Sequence, residues 1–301
     1  MINKKKCVII CRTLEKGAFD ALEGFYNIKE AVDKYIAGCQ AKIQMSCGRL
    51  IGKSVLAGLM IGMGAGISSV AAHTVADVGL ARLLAGVVFP VGLMMVILMG
   101  AELFTGDCLV GMSVLDRKQK LGSFAKLLVL VYIGNFIGAA LVALLLSASG
   151  QWDYSSGMLG AYTIKVALGK VNISFLKGIV SGILCNILVC AAVIMAVCAK
   201  DVTGKLLCSF FVIMMFVVGG FEHCVANMYY ITAGLLASLN PEYVALAMES
   251  YGFSAEYMES LNIFNFLVTN LIPVTIGNII GGVLCVGAPI YYLNRTKSDN
   301  K

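Results

Sequence analysis

Apolar residues run along this chain in six long blocks, at about 50–73, 83–112, 124–149, 173–199, 205–238 and 264–293. Each exceeds the roughly 18 apolar residues that a helix needs to cross a bilayer. The pattern predicts an all-α membrane protein with six transmembrane helices. The second and fifth blocks are too long for one span, and each holds a polar knot near its middle. The second reads Gly100-Ala-Glu-Leu-Phe-Thr-Gly-Asp107 there, and the fifth reads Gly220-Phe-Glu-His-Cys-Val-Ala-Asn227.

The two knots fall in the second span of each half. Three spans per half force the halves into opposite orientations, so the spacing predicts an inverted repeat with broken second and fifth helices. Non-helical backbone at that depth survives only if it is packed in protein or lines an aqueous path. An ionisable group there is costly, which marks Glu102, Glu222 and His223 as candidate functional residues. Exposed helix N-termini at the breaks favour anions. Gly58-x-x-x-Gly62-x-x-x-Gly66, Gly134-x-x-x-Gly138 and Gly277-x-x-x-Gly281 are expected at close helix contacts. Asn135, Asn186 and Asn278 lie in mid-span, where interhelical hydrogen bonds are the ordinary role.

Lysine and arginine set the orientation. They cluster before the first span (Lys4 to Arg49), after the second (Arg117, Lys118, Lys120), after the fourth (Lys200, Lys205) and in the tail (Arg295, Lys297, Lys301). The alternate connections are poor in them. Both termini are therefore expected in the cytoplasm, with the chain multi-pass in a bacterial cytoplasmic (inner) membrane. Residues 1–48 read as a retained cytoplasmic segment, 49–294 as the pore domain and 295–301 as a cytoplasmic tail. Phe19, Leu22, Phe25, Tyr26, Val32, Tyr35 and Ile36 recur at helical spacing, predicting an amphipathic helix on the membrane or a neighbouring loop.

Composition agrees and narrows the chemistry. Hydrophobic residues make up 59% and charged residues 13%, too little charge to cover a soluble surface of this size. The net charge of +6 comes from loops and tails that face lipid headgroups, so no nucleic-acid partner is expected. The 11 cysteines mostly sit in apolar blocks without a C-x-x-C pair. With two histidines and no H-E-x-x-H, neither metal nor cofactor is expected. A membrane-embedded enzyme would have to use Cys224 beside His223, whose side chains point about 100° apart on a helix. A scaffold without a pore leaves the intramembrane histidine unexplained.

Several strings in order resemble the formate/nitrite transporter family over roughly residues 18–295. They are Ala101-Glu-Leu-Phe-Thr-Gly106, Tyr132-Ile-Gly-Asn-Phe-Ile-Gly138, Gly182-Ile-Leu-Cys-Asn-Ile-Leu-Val-Cys190, Gly220-Phe-Glu-His-Cys-Val-Ala-Asn-Met228 and Asn270-Leu-Ile-Pro-Val-Thr-Ile-Gly-Asn-Ile-Ile-Gly-Gly282. The resemblance implies an aquaporin-like protomer, a homopentamer and one pore per protomer for a small monovalent anion. Formate is expected first, then nitrite or hydrosulfide, with lactate also open. It implies a central His223, with Thr105, Asn227 and Asn278 as further pore groups. Either an imidazolium pairs with the anion, or a proton moves to make the neutral acid. Phe89 and Phe216 would form the outer constriction from matched places in the two repeats, and Leu93 and Leu103 the inner one. Lys170, in the loop Gly169-Lys-Val-Asn172, would draw anions to the outer mouth. Glu102 and Glu222 are expected to accept hydrogen bonds from the backbone of the breaks or from neighbouring chains. Asp107 and Cys108 depart from the small or hydroxyl residues usual at such places.

Overall fold

The computed structural model describes residues 24–294. A short helix α1 (Ile28–Ile43) leads into the span α2 (Cys47–Ala72). The second predicted block is α3 (Val78–Leu98) followed, after a break, by the shorter α4 (Phe104–Leu115). α5 (Leu121–Ala148) closes the first half. α6 (Met158–Val171) connects to the second half, which opens with α7 (Phe175–Cys198). The fifth block is α8 (Val202–Gly219), a break, and α9 (Cys224–Ala237). α10 (Pro241–Tyr251) and α11 (Ala255–Glu259) precede the last span, α12 (Asn265–Asn294). Among the described residues, α2, α3, α5, α7, α8 and α12 are the six helices long and apolar enough to cross a bilayer.

Local chemistry explains the starts. Asn27 and Glu30 exchange side-chain bonds with each other's backbone N–H at 3.0 Å, a capping box that opens α1. Asp77 and Asp201 open α3 and α8 by accepting the N–H of Leu80 (2.7 Å) and of Gly204 (2.8 Å). Their negative charge also suits the positive end of each helix dipole.

The two halves repeat each other in contact as well as in sequence. α2 lies along α5, and α7 lies along α12. A Cβ on Gly138 would stand 2.1 Å from the Val55 carbonyl oxygen, and one on Gly281 would stand 2.4 Å from that of Ile183. These glycines let the paired backbones touch, as the small-residue spacing predicts. The end of α12 packs on α1, so both described ends lie on one face, here the terminal face. The opposite face is the distal face.

Three features differ from the sequence reading. α1 turns its apolar face to the protein. It buries Ala31, Val32, Ile36 and Cys39 and packs across the terminal ends of α4, α5 and α7. Phe19 and Leu22 fall outside the described residues, and Phe25 precedes the helix. The connection expected as a loop around Lys170 is the helix α6, packed on α9 and α10. Its Lys165, Lys170 and two glycines dilute the apolar signal that would have marked it. Finally, α12 is wound in wide π-type turns at Asn265–Leu271 and Ile280–Gly287, on either side of the stretch that carries Pro273 and Asn278.

Candidate functional site: two facing helix breaks

α3 and α8 end alike. Gly100 (φ 62°) and Gly220 (φ 69°) turn the chain out of the helix in the left-handed conformation that glycine adopts without strain. Ala101 N–H bonds the Val96 carbonyl at 3.0 Å, and Phe221 N–H bonds the Phe216 carbonyl at 3.3 Å. Both are Schellman caps.

The next helices begin inside the protein, where their first N–H groups need partners. Asn135 on α5 accepts from Phe104 N–H (2.9 Å) and donates to the carbonyls of Ser54 (2.8 Å) and Glu102 (3.0 Å). Asn278 on α12 accepts from Cys224 N–H (2.9 Å) and donates to the carbonyls of Gly182 (2.8 Å) and Glu222 (3.0 Å). Both amide protons of Asn278 thus go to bracing the break, and its Oδ1 accepts one N–H there. Asn186 braces the same centre, donating to the carbonyls of Thr105 (3.2 Å) and Asn278 (2.6 Å).

Thr105 and His223 meet where the breaks face each other. Thr105 Oγ1 and His223 Nε2 are 2.9 Å apart, and both residues are buried. His223 Nδ1 accepts the Ala226 N–H at 3.0 Å, acting as N-cap of α9. An acceptor nitrogen carries no proton, so the ring proton is on Nε2 and is donated to Thr105. Charging the ring would put a second proton on Nδ1 and break the cap, so the bonds hold this histidine neutral.

Vestibules approach this pair from both faces. The distal one, about 420 Å³, is lined by Lys170, Glu222, Asn227, Tyr230, Phe89 and Phe216, with His223 at its floor. Phe216 stacks on the His223 ring at 5.9 Å and meets Phe89 edge-on at 5.4 Å. The two phenylalanines form one constriction but do not hold equivalent places in the repeat. In the register that pairs Gly100 with Gly220, Phe216 corresponds to Val96 and Phe89 to Ser209. The terminal vestibule, about 240 Å³, is lined by Leu93, Leu103, Lys42, Glu102 and Asp107.

Each vestibule holds a lysine on a glutamate. Lys170 Nζ is 2.6 Å from Glu222 Oε1, and Asn227 Nδ2 donates to Glu222 Oε2 (2.7 Å) and to Asn270 Oδ1 (2.9 Å). Lys42 Nζ is 2.6 Å from both Glu102 Oε2 and Asp107 Oδ1. Burial alone would lower the Lys42 pKa, but Asp107 and Glu102 outweigh it and hold the ammonium well above its ordinary range. The glutamate side chains thus accept from lysines, where backbone or neighbouring-chain donors were expected. Lys42 went unread as a site residue, since a lysine on a terminal segment is read as a topology charge. Lys165 was also missed; it lies 4.4 Å over the Tyr251 ring and lines the distal vestibule.

The family model described as formate/nitrite transporter matches residues 29–292. The formate channel FocA of Haemophilus influenzae is 36% identical over 220 residues, covering 72% of this chain and 76% of the relative. FocA of Escherichia coli K12 is 35% identical over 224 residues, covering 74% and 77%. A solved pentameric formate channel with formate bound superposes with a TM-score of 0.72 at 31% identity, covering 82% of this chain and 97% of that one. A solved ion channel of the same family gives 0.75 at 25% identity, covering 88% and 99%.

Proposed function

The chain belongs to the formate/nitrite transporter family and is a multi-pass anion channel of that family, and on that premise we propose that its cargo is formate, crossing with a proton through one pore per protomer of a homopentamer. The observation that carries the reading is the Thr105–His223 bond between two lysine-bearing vestibules. The relatives' names supply formate as cargo and the pentamer as assembly. The largely apolar, exposed faces of α3 and α8, with Val91, Phe211 and Met215 outward, suit neighbouring protomers or lipid. The lysine-rich connections favour the terminal face as cytoplasmic in a bacterial inner membrane. The relatives are named as channels and transporters, so the chain is read as a non-enzyme.

In this reading Lys170 concentrates the anion in the distal vestibule. Phe89 and Phe216 bar hydrated ions. A bare carboxylate is costly beyond that neck, so formate takes a proton from vestibule water and passes as the neutral acid. His223 offers Nε2–H, and Thr105 offers a hydroxyl that both accepts from the ring and donates onward. Leu103 and Leu93 form the apolar exit into the terminal vestibule, where Lys42 receives the re-ionised anion. Asn227, with its Oδ1 unpartnered among the described residues, is free to accept from the acid's hydroxyl.

Stopped-flow uptake into proteoliposomes, comparing formate, nitrite, hydrosulfide and lactate, tests this. Fast, selective formate flux is expected. Selective flux of another of these anions would replace the cargo.

A further inference from the structure

The lysine–glutamate pairs of the two vestibules are built from corresponding residues. Lys42 corresponds to Lys170, and Glu102 to Glu222, by contact and by register. The next polar position pairs Asp107 with Asn227, an acid against an amide. On the distal side the amide donates to Glu222, so Lys170 meets one carboxylate. On the terminal side Lys42 is shared at 2.6 Å by two.

Asp107 is also unusually placed for an ionised acid. Its side chain is 2% exposed. It borders the terminal cavity, yet Oδ2 has no hydrogen-bond partner among the described residues. A buried carboxylate ordinarily satisfies both oxygens, and an unmet one weakens its hold on the charge.

We propose that Asp107 is a proton-binding site of the terminal vestibule that sets how strongly Lys42 draws an anion. With Asp107 ionised, its charge and that of Glu102 offset those of Lys42 and Lys53, and the mouth attracts anions weakly. When Oδ2 takes a proton from vestibule water, Lys42 keeps only Glu102, and its field reaches the cargo. The distal vestibule, with an amide in the same place, has no such control. Acid on the terminal side therefore raises that side's affinity for the anion.

The other groups facing Asp107 leave it as the one that switches. Lys42, Tyr35 and Cys39 face it from α1, Lys53 stands on α2, Glu102 on the break, and Cys190 on α7. Tyr35 donates to the Gly106 carbonyl (3.2 Å), Cys39 to that of Tyr35 (3.2 Å), and Cys190 to that of Thr105 (3.4 Å). Burial pushes Tyr35 well up and Cys39 up to about 12, so both keep their protons. Glu102 has Lys53 3.9 Å from its second oxygen as well as Lys42. Asp107 has only its share of Lys42.

The inference rests on the anion-channel reading but not on formate as the cargo. Right-side-out and everted membrane vesicles from cells making the full chain present opposite faces to one anion solution. KM is measured at mildly alkaline and mildly acidic pH on the presented face. Acid on the terminal face should lower KM about tenfold, the effect of one unit charge roughly 6 Å away at an effective dielectric near 40. Acid on the distal face should not produce that drop. Asp107→Asn should show the low KM at both pH values, and Asp107→Glu should keep the pH dependence. Should the Asn variant not fold, loss of the dependence in the Glu variant overturns the proposal, as does its persistence in a folded Asn variant. If nitrite, hydrosulfide or lactate moves and formate does not, the cargo reading fails, and the same comparison is made on the moving anion. Absence of all four fluxes overturns both.

Discussion

Asn135 and Asn278 stand in opposite halves of the chain and make the same three bonds, one accepted from the first N–H of a re-entering helix and two donated to backbone carbonyls. Each holds together a span, a break and a half-helix that would otherwise leave polar backbone unmet in an apolar setting. Asn278→Ala should therefore destabilise by roughly 2–4 kcal/mol, read by unfolding in detergent. Since both N–H groups of Asn278 are spent on backbone carbonyls and none is left to donate to an anion, variants that fold should keep the wild-type order of anions. A changed order would restore the ligand role.

Gly138 tests the close packing. A methyl there would stand 2.1 Å from the Val55 carbonyl oxygen, which is backbone and cannot swing away. On α5, Gly122 has nothing within 4 Å of its would-be Cβ. Gly138→Ala should fail to yield folded protein or lose several kcal/mol, roughly 3 or more, by overpacking. Gly122→Ala should gain a few tenths of a kcal/mol or change nothing. Equal behaviour of the pair in thermal unfolding would mean that α2 and α5 separate more easily than their contact implies.

The six spans and the two breaks were legible because a bilayer asks for long apolar runs and tolerates polar knots only at functional depth. His223 and Thr105 stood out as polar groups in or beside such knots. What stayed hidden was relational. α6 is too short and too broken by lysine and glycine to announce itself, and Lys42 looks like any basic residue near a membrane. The signal that finds Lys42 is the repeat itself: Lys42 precedes Ser54 by the same interval that separates Lys170 from Gly182. The same register sets Asp107 against Asn227. The bracing role of Asn278 was hidden for another reason, since a mid-span amide looks alike in sequence whether it meets cargo or backbone.

Lys170 and Glu222 separate attraction from stability. Lys170→Gln should weaken apparent anion affinity from the distal face about tenfold at low ionic strength, and less as salt rises. It also leaves Glu222, largely buried, without its cation. Adding Glu222→Gln should recover thermal stability while the affinity stays low. An affinity that salt does not alter would show that Lys170 serves the fold and not the cargo.

His223→Asn distinguishes a neutral ring from a relay. An asparagine can still cap α9 through Oδ1, where Nδ1 now accepts the Ala226 N–H, yet it takes up no proton. His223→Phe loses the cap and should cost about 1 kcal/mol of stability on that account alone. If formate carries its own proton past a neutral ring, the Asn variant should fold, slow flux by roughly tenfold for one lost hydrogen bond, and keep the shape of the pH profile. The profile is to be taken from the distal face, away from Asp107. A flat profile in the Asn variant would mean that the imidazole itself takes the proton, breaking its bond to Ala226 on every cycle, and the neutral-ring mechanism would have to be given up.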